Sequence, residues 1–315
     1  EQAGQDHADL FLIAGDLFHR QPLARELKEV NAMFSSIPDT KILLIAGNHD
    51  YLRKDSLYTR FSWSPNVYGL WSQEITYVDF PDLGVRVTGC SYKSREISRP
   101  LYDTLKKSGE MPVEILLAHG GDEKHIPISR DRLAASGFDY IALGHIHKPQ
   151  VLQTDQMIYA GSLEPTEKND TGPHGFVKGE IRNGKVRTVF VPWAAREYKE
   201  LKVPVTRETT QYTLRQKISG LLEEKGKEHI YTLILQGERN PETEFQLSQL
   251  YSLGNIRQVE DQSRPAWSLE ELCRKHRGSL LEEYIRSFGE DPGEEEKKAL
   301  DYGIRALLET GEEIL

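Results

Sequence analysis

Five apolar, β-branched-rich runs, each closed by a glycine or a polar residue, constrain the fold more than any other feature of the chain. They occupy residues 10–14, 42–46, 85–89, 115–118 and 141–143. Near-continuous hydrophobicity predicts strands covered on both faces, as in a mainly parallel sheet. Between the first two, Leu27, Val30 and Phe34 recur at helical spacing, giving a helix over 23–34 that can cross from one parallel strand to the next. Later runs at 157–160, 176–181 and 186–191 include Asn183-Gly184, a hairpin turn pair. The expected fold class is therefore α/β, with two packed β-sheets flanked by helices, alternating at first and antiparallel towards its end.

The pattern changes after Pro192-Trp193. A strand at 201–205, a helix at 213–225, a strand at 231–236 and a helix at 242–250 predict a small second α/β domain. Beyond it the sequence is helical: Ser268 and Ser279 each have a glutamate three residues on, Glu271 and Glu282, as in capping boxes. Leu280, Leu281, Tyr284, Ile285 and Phe288 form one apolar stripe, and Leu300, Ile304, Leu307 and Leu308 another. The expected organisation is a first domain over 1–196, a small α/β accessory domain over 197–267, for capping or DNA binding, and a helical tail over 268–315 that packs on the protein itself or holds a partner. The run at 10–14 is already a buried strand, and such a strand ordinarily follows another strand and a crossover helix. Residues 1–8 read as the end of that helix, so a first strand is expected upstream of Glu1.

Charge is unevenly spread. The formal net charge is −9, and residues 268–315 hold 13 acidic and 7 basic side chains, a net −6 that leaves −3 for the other 267 residues. Such a tail repels a phosphate backbone, while the balanced body neither favours nor excludes one. Cys90 and Cys273 stand alone, in no metal-ligand spacing, and suit a reducing compartment. No apolar run approaches the ~20 residues that span a bilayer. A cytoplasmic protein without membrane contact is expected.

Four polar clusters close the apolar runs: Gly15-Asp16-Leu17-Phe18-His19, Gly47-Asn48-His49-Asp50, His119-Gly120-Gly121 and Gly144-His145-Ile146-His147. In an open α/β sheet, ligands bind outside the carboxyl ends of the strands, so Asp16, Asn48, His119 and His145 are expected to converge. Asp offers an oxygen that can bridge two cations, Asn a neutral carbonyl, and His a borderline nitrogen. This set suits manganese, iron or zinc better than calcium or a thiolate-bound metal. In His145-x-His147 an extended backbone would point both rings the same way. Each cluster read alone is also a turn or a pair of satisfied histidines; together they predict a dinuclear site.

The order of these motifs resembles the calcineurin-like metallophosphoesterase superfamily, and G-D-L-F-H with G-N-H-D resembles its DNA-repair nuclease branch of SbcD-like and YhaO-like proteins. Gly161-Ser162-Leu163-Glu164-Pro165 and Gly172-Pro173-His174-Gly175-Phe176 add to that likeness. It covers residues 10–191; for the second domain and tail it extends to layout only. The resemblance implies that Asp16 bridges two divalent metal ions, Mn2+ above all, that Asn48, His119 and His145 serve one of them, and that His147 serves the other. It casts His49 as the histidine assisting the leaving group and His19 as a second active-site histidine. The first motif of the superfamily, Asp-x-His, has no counterpart here, as an absent first strand would explain. The implied mechanism is in-line attack by a hydroxide shared between two cations about 3.5–4 Å apart, with His49 near the departing oxygen.

The leading expectation is a DNA exonuclease or endonuclease subunit with an SbcC-like coiled-coil ATPase partner, a homodimer being compatible with it. A phosphodiesterase or phosphatase on nucleotides or other small esters, and an inert scaffold, are the alternatives. His125 faces either substrate or solvent, and His174 is either an active-site wall or a turn residue. Lys93, Arg95 and Arg99 either track a nucleic-acid backbone or form a solvated face.

Overall fold

The computed structural model describes residues 1–289 and 292–310, and the chain divides between Glu197 and Tyr198 into two compact units. The first opens with the short helix α1 (Gln2–Gln5), β1 (Leu10–Ala14), α2 (Ala24–Ser35), β2 (Lys41–Ile45), the helical turn α3 (Leu57–Arg60) and β3 (Val67–Gly69). These three strands form a parallel sheet in sequence order. Next come β4 (Thr76–Phe80), β5 (Val85–Gly89), β6 (Val113–His119), α4 (Arg130–Ala134), β7 (Tyr140–Gly144), β8 (Gln150–Gln153) and β9 (Met157–Tyr159). They build a second sheet in the order 4-5-6-7-9-8, parallel at its centre with antiparallel edges. The hairpin of β10 (Gly175–Arg182) and β11 (Lys185–Pro192) turns at Asn183 and Gly184, both at positive φ as that turn requires.

Alternation along the strands decides how the sheets pack. In β2, Leu43 and Ile45 join Ile115 and Leu117 of β6 and the half-buried Tyr140 and Ala142 of β7 in one core, to which Leu10, Leu12 and Ala14 of β1 add. Their neighbours point the other way: Ile42 and Leu44 meet Phe34 and Val30 of α2, while Leu116, Ala118, Ile141 and Leu143 meet Tyr92, Tyr102, Leu133 and Phe138. Period-2 sidedness thus yields two sheets face to face with helices and loops outside, the expected class. Strands β3, β4 and β8, absent from the sequence expectation, lie at sheet edges; β4 and β8 mix polar with apolar residues, and β3 is only three residues long. Tyr77 of β4 stays 57% exposed beneath the Arg86 guanidinium, 3.8 Å from its ring centre.

The second unit holds β12 (Tyr198–Val205), α5 (Gln211–Lys225), β13 (Ile230–Arg239), a 3-10 helix (Leu247–Leu253), β14 (Ile256–Asp261) and β15 (Arg264–Pro265). Strands β12, β13 and β14 are parallel, with α5 packing Leu214, Ile218 and Leu222 against Val203, Leu233 and Leu235. The helix expected at 242–250 is displaced because Asn240 starts a turn, its side chain accepting from the Glu242 N–H at 2.9 Å before Pro241-Glu242 can enter a helix.

Three helices follow: α6 (Leu269–Lys275), α7 (Leu280–Ser287) and α8 (Glu294–Glu309). The Ser268 and Ser279 hydroxyls cap α6 and α7, accepting from the Glu271 and Glu282 N–H groups. Glu282 does not return to its cap but binds the Gly278 N–H and Arg286. The two apolar stripes bury one another: Leu281 and Ile285 pack on Leu300 and Ile304, with Trp267, Leu307 and Leu308 around them. Ile304 is fully buried, so aspartates at Ile304 and Leu308 would open this core rather than probe a partner surface. Residues 290, 291 and 311–315 of the acidic tail lie outside the described residues. Among the described residues no helix is long and apolar enough to cross a membrane.

Candidate metal centre

Each polar cluster follows or closes a strand at its carboxyl end, with Asp16 after β1, Asn48 after β2, His119 closing β6 and His145 after β7. Two donors therefore come from the three-stranded sheet and two from the six-stranded one. Glycines permit this close approach. A Cβ on Gly144 would land on the Ala14 carbonyl oxygen, and one on Gly47 on the Asp16 carboxylate. Asp16 and His145 take the left-handed backbone region, with φ of 52° and 95°. Such conformations cost about 1–3 kcal/mol each and persist where surrounding structure enforces them.

The contacts leave too many acceptors facing one another. The Ala14 carbonyl lies 2.7 Å from His119 Nδ1 and can only accept, so Nδ1 carries the proton and donates to it. Nε2 of the neutral ring is then a lone pair, 2.8 Å from Asn48 Oδ1 and 3.3 Å from Asp16 Oδ2. On the other side, His145 Nε2 lies 2.7 Å from Asp122 Oδ2 and donates to it, which leaves His145 Nδ1 as a second lone pair 3.1 Å from the same Asn48 oxygen. Ligand atoms of Asp16, His119 and His145 all fall within 4.8 Å of one another. A cation, a proton or an Asn48 amide turned to present its NH2 reconciles such a set, and imidazole and oxygen without thiolate fits manganese, iron or zinc.

Electrostatics follows the same geometry. Burial opposes ionisation of Asp16, yet the His119 ring and the His49 N–H outweigh it and hold the carboxyl below its ordinary range. Burial likewise opposes a charge on His119, but Asp16 and the Ala14 carbonyl prevail and raise its proton affinity. His145 moves down because burial dominates its bond to Asp122. His49 also falls, first through burial, then through His19 and Arg95 against the pull of Asp16.

The remaining catalytic candidates, His49 and His19, form one pair beside Asp16, with Asp50 behind them. The His49 N–H donates to Asp16 Oδ1 at 2.9 Å, and the His49 ring stacks on His19 with centroids 4.1 Å apart. Asp50, fully buried, ties the first two clusters together by accepting from the Gly47 N–H at 2.7 Å, the Tyr58 hydroxyl at 2.6 Å and the Phe18 N–H at 3.3 Å. Burial pushes its carboxyl up to about 6.

His147 stands differently. Its Nδ1 lies 3.2 Å from Asp170 Oδ2 and 3.0 Å from the Thr166 hydroxyl, and it joins neither group of described side chains close enough to share an ion. With His145 at φ 95° the segment is not extended, so the rings need not point the same way. His174 is a buried turn residue, its ring held by Ser162 and the Asp170 carbonyl while its own carbonyl accepts from Trp193 and Ala194. Sequence reasoning missed Asp170, Thr166 and Asp122, exposed or loop polar residues with no periodicity to mark them. It placed His125 only in a loop; its ring tilts against His145 at 4.6 Å and pairs with Asp122.

Residues 1–149 match the family model of the calcineurin-like phosphoesterases. The uncharacterized metallophosphoesterase YhaO of Bacillus subtilis (strain 168) is 29% identical over 256 residues, 75% of this chain. The chain spans 62% of that relative's length. Both matches make the chain similar to calcineurin-like metallophosphoesterases.

Proposed function

We propose that the protein is a DNA nuclease that hydrolyses phosphodiesters with two divalent ions, Mn2+ foremost, held by Asp16, Asn48, His119, His145 and His147. The convergence of acceptor-only atoms on Asn48 Oδ1 carries this reading, because a buried cluster of lone pairs is costly until a cation fills it. Bound there, the ions supply positive charge to the non-bridging oxygens of the phosphodiester. Asp16 supplies the negative charge and also fixes the His49 backbone. His49 donates from its ring to the departing oxygen, and His19 holds that ring by stacking.

A polyanionic substrate is supported by the exposed Lys93, Arg95 and Arg99, of which Arg95 is near enough to depress the His49 pKa. On the same reading a coiled-coil ATPase and a second copy of the chain are the partners to test. Among the described residues of the tail, Leu280 and Tyr302 are exposed and offer apolar contact for them.

The test is Mn2+-dependent cleavage of linear duplex DNA beside a small phosphodiester. Degradation of DNA supports the nuclease; cleavage of the small ester alone points to a phosphodiesterase; and absence of both turnover and Mn2+ binding leaves an inert scaffold whose Asn48 amide has turned its NH2 to the two rings. Calorimetry should show one tight and one weak Mn2+ equivalent, because Asp170 engages His147. Two equally tight equivalents would refute that order. His49→Ala should lower kcat by about 10^2-fold, as loss of a general acid does, with Mn2+ uptake unchanged, since its backbone N–H to Asp16 survives the substitution. Loss of bound metal would instead make His49 structural.

A further inference from the structure

We infer that Asp122 is a positioning residue for the metal centre: its carboxylate takes the Nε2–H of His145 and so turns the opposite nitrogen, Nδ1, bare towards Asn48 and Asp16. The inference rests on the reading of this centre as a divalent-ion site. A metal-binding imidazole must be deprotonated at the nitrogen that binds, and the partner of the other nitrogen decides which one that is.

Asp122 lies in the loop after β6, Gly120-Gly121-Asp122-Glu123-Lys124-His125. The loop is closed by the Gly121 N–H on the His125 carbonyl at 2.8 Å and anchored by the Ile126 N–H on the Ile97 carbonyl at 2.7 Å. The carboxylate is itself held, accepting from the Lys124 and His125 N–H groups at 2.8 and 2.9 Å and lying 2.9 Å from the His125 ring Nδ1. Its second oxygen is therefore a fixed acceptor at 2.7 Å from His145 Nε2. His125 completes the arrangement by orienting Asp122.

Asp122, His125 and His145 could also be read as ligands of one further ion, their ligand atoms all lying within 4.8 Å of one another. A ligand at His145 Nε2 would compete with the proton that makes Nδ1 a donor in the main centre. The 2.7 Å contact fits a shared proton, and we assign the nitrogen to Asp122.

The test uses the whole chain. In the metal-free protein, nitrogen-15 NMR of the histidine side chains should show a slowly exchanging Nε2–H for His145. Asp122→Ala should abolish its protection, while Asp122→Asn, which keeps an acceptor oxygen, should restore most of it. In Mn2+ calorimetry, Asp122→Ala should weaken the tight equivalent by about 10- to 100-fold, the range for partners behind a metal ligand, with Asp122→Asn intermediate. Wild-type affinity and an unchanged His145 signal in Asp122→Ala would overturn the assignment. So would His125→Ala if it deleted a whole Mn2+ equivalent, since Asp122 and His125 would then be ligands. Failure of the wild type to bind Mn2+ would remove the metal reading, whereas the NMR result judges the hydrogen bond independently of any metal.

Discussion

Asp16→Ala is expected to lower phosphodiester turnover on the order of 10^3-fold, the upper scale for losing one preorganised group at a reacting centre, and to abolish tight Mn2+ binding. Asp16 is the one carboxylate among the four convergent donors, and without it His119 Nε2 and Asn48 Oδ1 face each other with no negative charge to hold a cation. Its second oxygen also accepts the His49 N–H, so the alanine variant loosens His49 as well. Asp16→Asn keeps that acceptor and the side-chain volume while removing the charge. Turnover and Mn2+ affinity should fall nearly as far in Asn as in Ala, with circular dichroism unchanged. Wild-type turnover in Asp16→Asn would show that the charge is not what the site uses.

Gly144→Ala should cost about 1–3 kcal/mol of stability, the usual penalty for forcing a methyl into packed structure, and weaken Mn2+ binding together with it. The added Cβ meets the Ala14 carbonyl oxygen, a backbone atom of the opposite sheet that cannot swing aside. That carbonyl is also the acceptor that fixes the protonated nitrogen of His119. Separating the sheets at this point therefore disturbs a proposed ligand, His119, as well as a core. Gly220 offers the control: it lies within α5 with open space where its Cβ would be, so Gly220→Ala should be neutral or stabilising by up to about 1 kcal/mol. Urea unfolding of the two variants separates the outcomes, and equal stability for both would disprove the clash.

How much of this centre is legible in the sequence depends on what fixes each residue. Asp16, Asn48, His119 and His145 each end or follow an apolar run, and strand ends of an α/β sheet gather on one edge, so their meeting can be read without coordinates. Side-chain direction cannot. The alternation of His145 and His147 predicts parallel rings only if the backbone is extended, and the left-handed conformation of His145 breaks that premise. Asp122 sits among Gly, Glu and Lys and reads as solvated loop, because its role depends on a contact 23 residues away in sequence. The long central strands are legible from continuous hydrophobicity, whereas edge strands such as β3 and β8 carry too little of it to be marked. In the tail, the stripes identify apolar faces but not that each is the other's cover.

Because the donors straddle two sheets, an ion bound among them would act as a clasp across the sandwich, and its affinity would contain the free energy of pressing the sheets together. At a free concentration one hundred times its dissociation constant, a ligand that binds only the folded chain adds about 2.7 kcal/mol to stability. Chelation would withdraw that increment, and melting temperature would then report divalent-ion occupancy. Reciprocity runs the other way too: trimming Leu43 or Leu117, which fill the space between the sheets, would loosen the clasp and release metal.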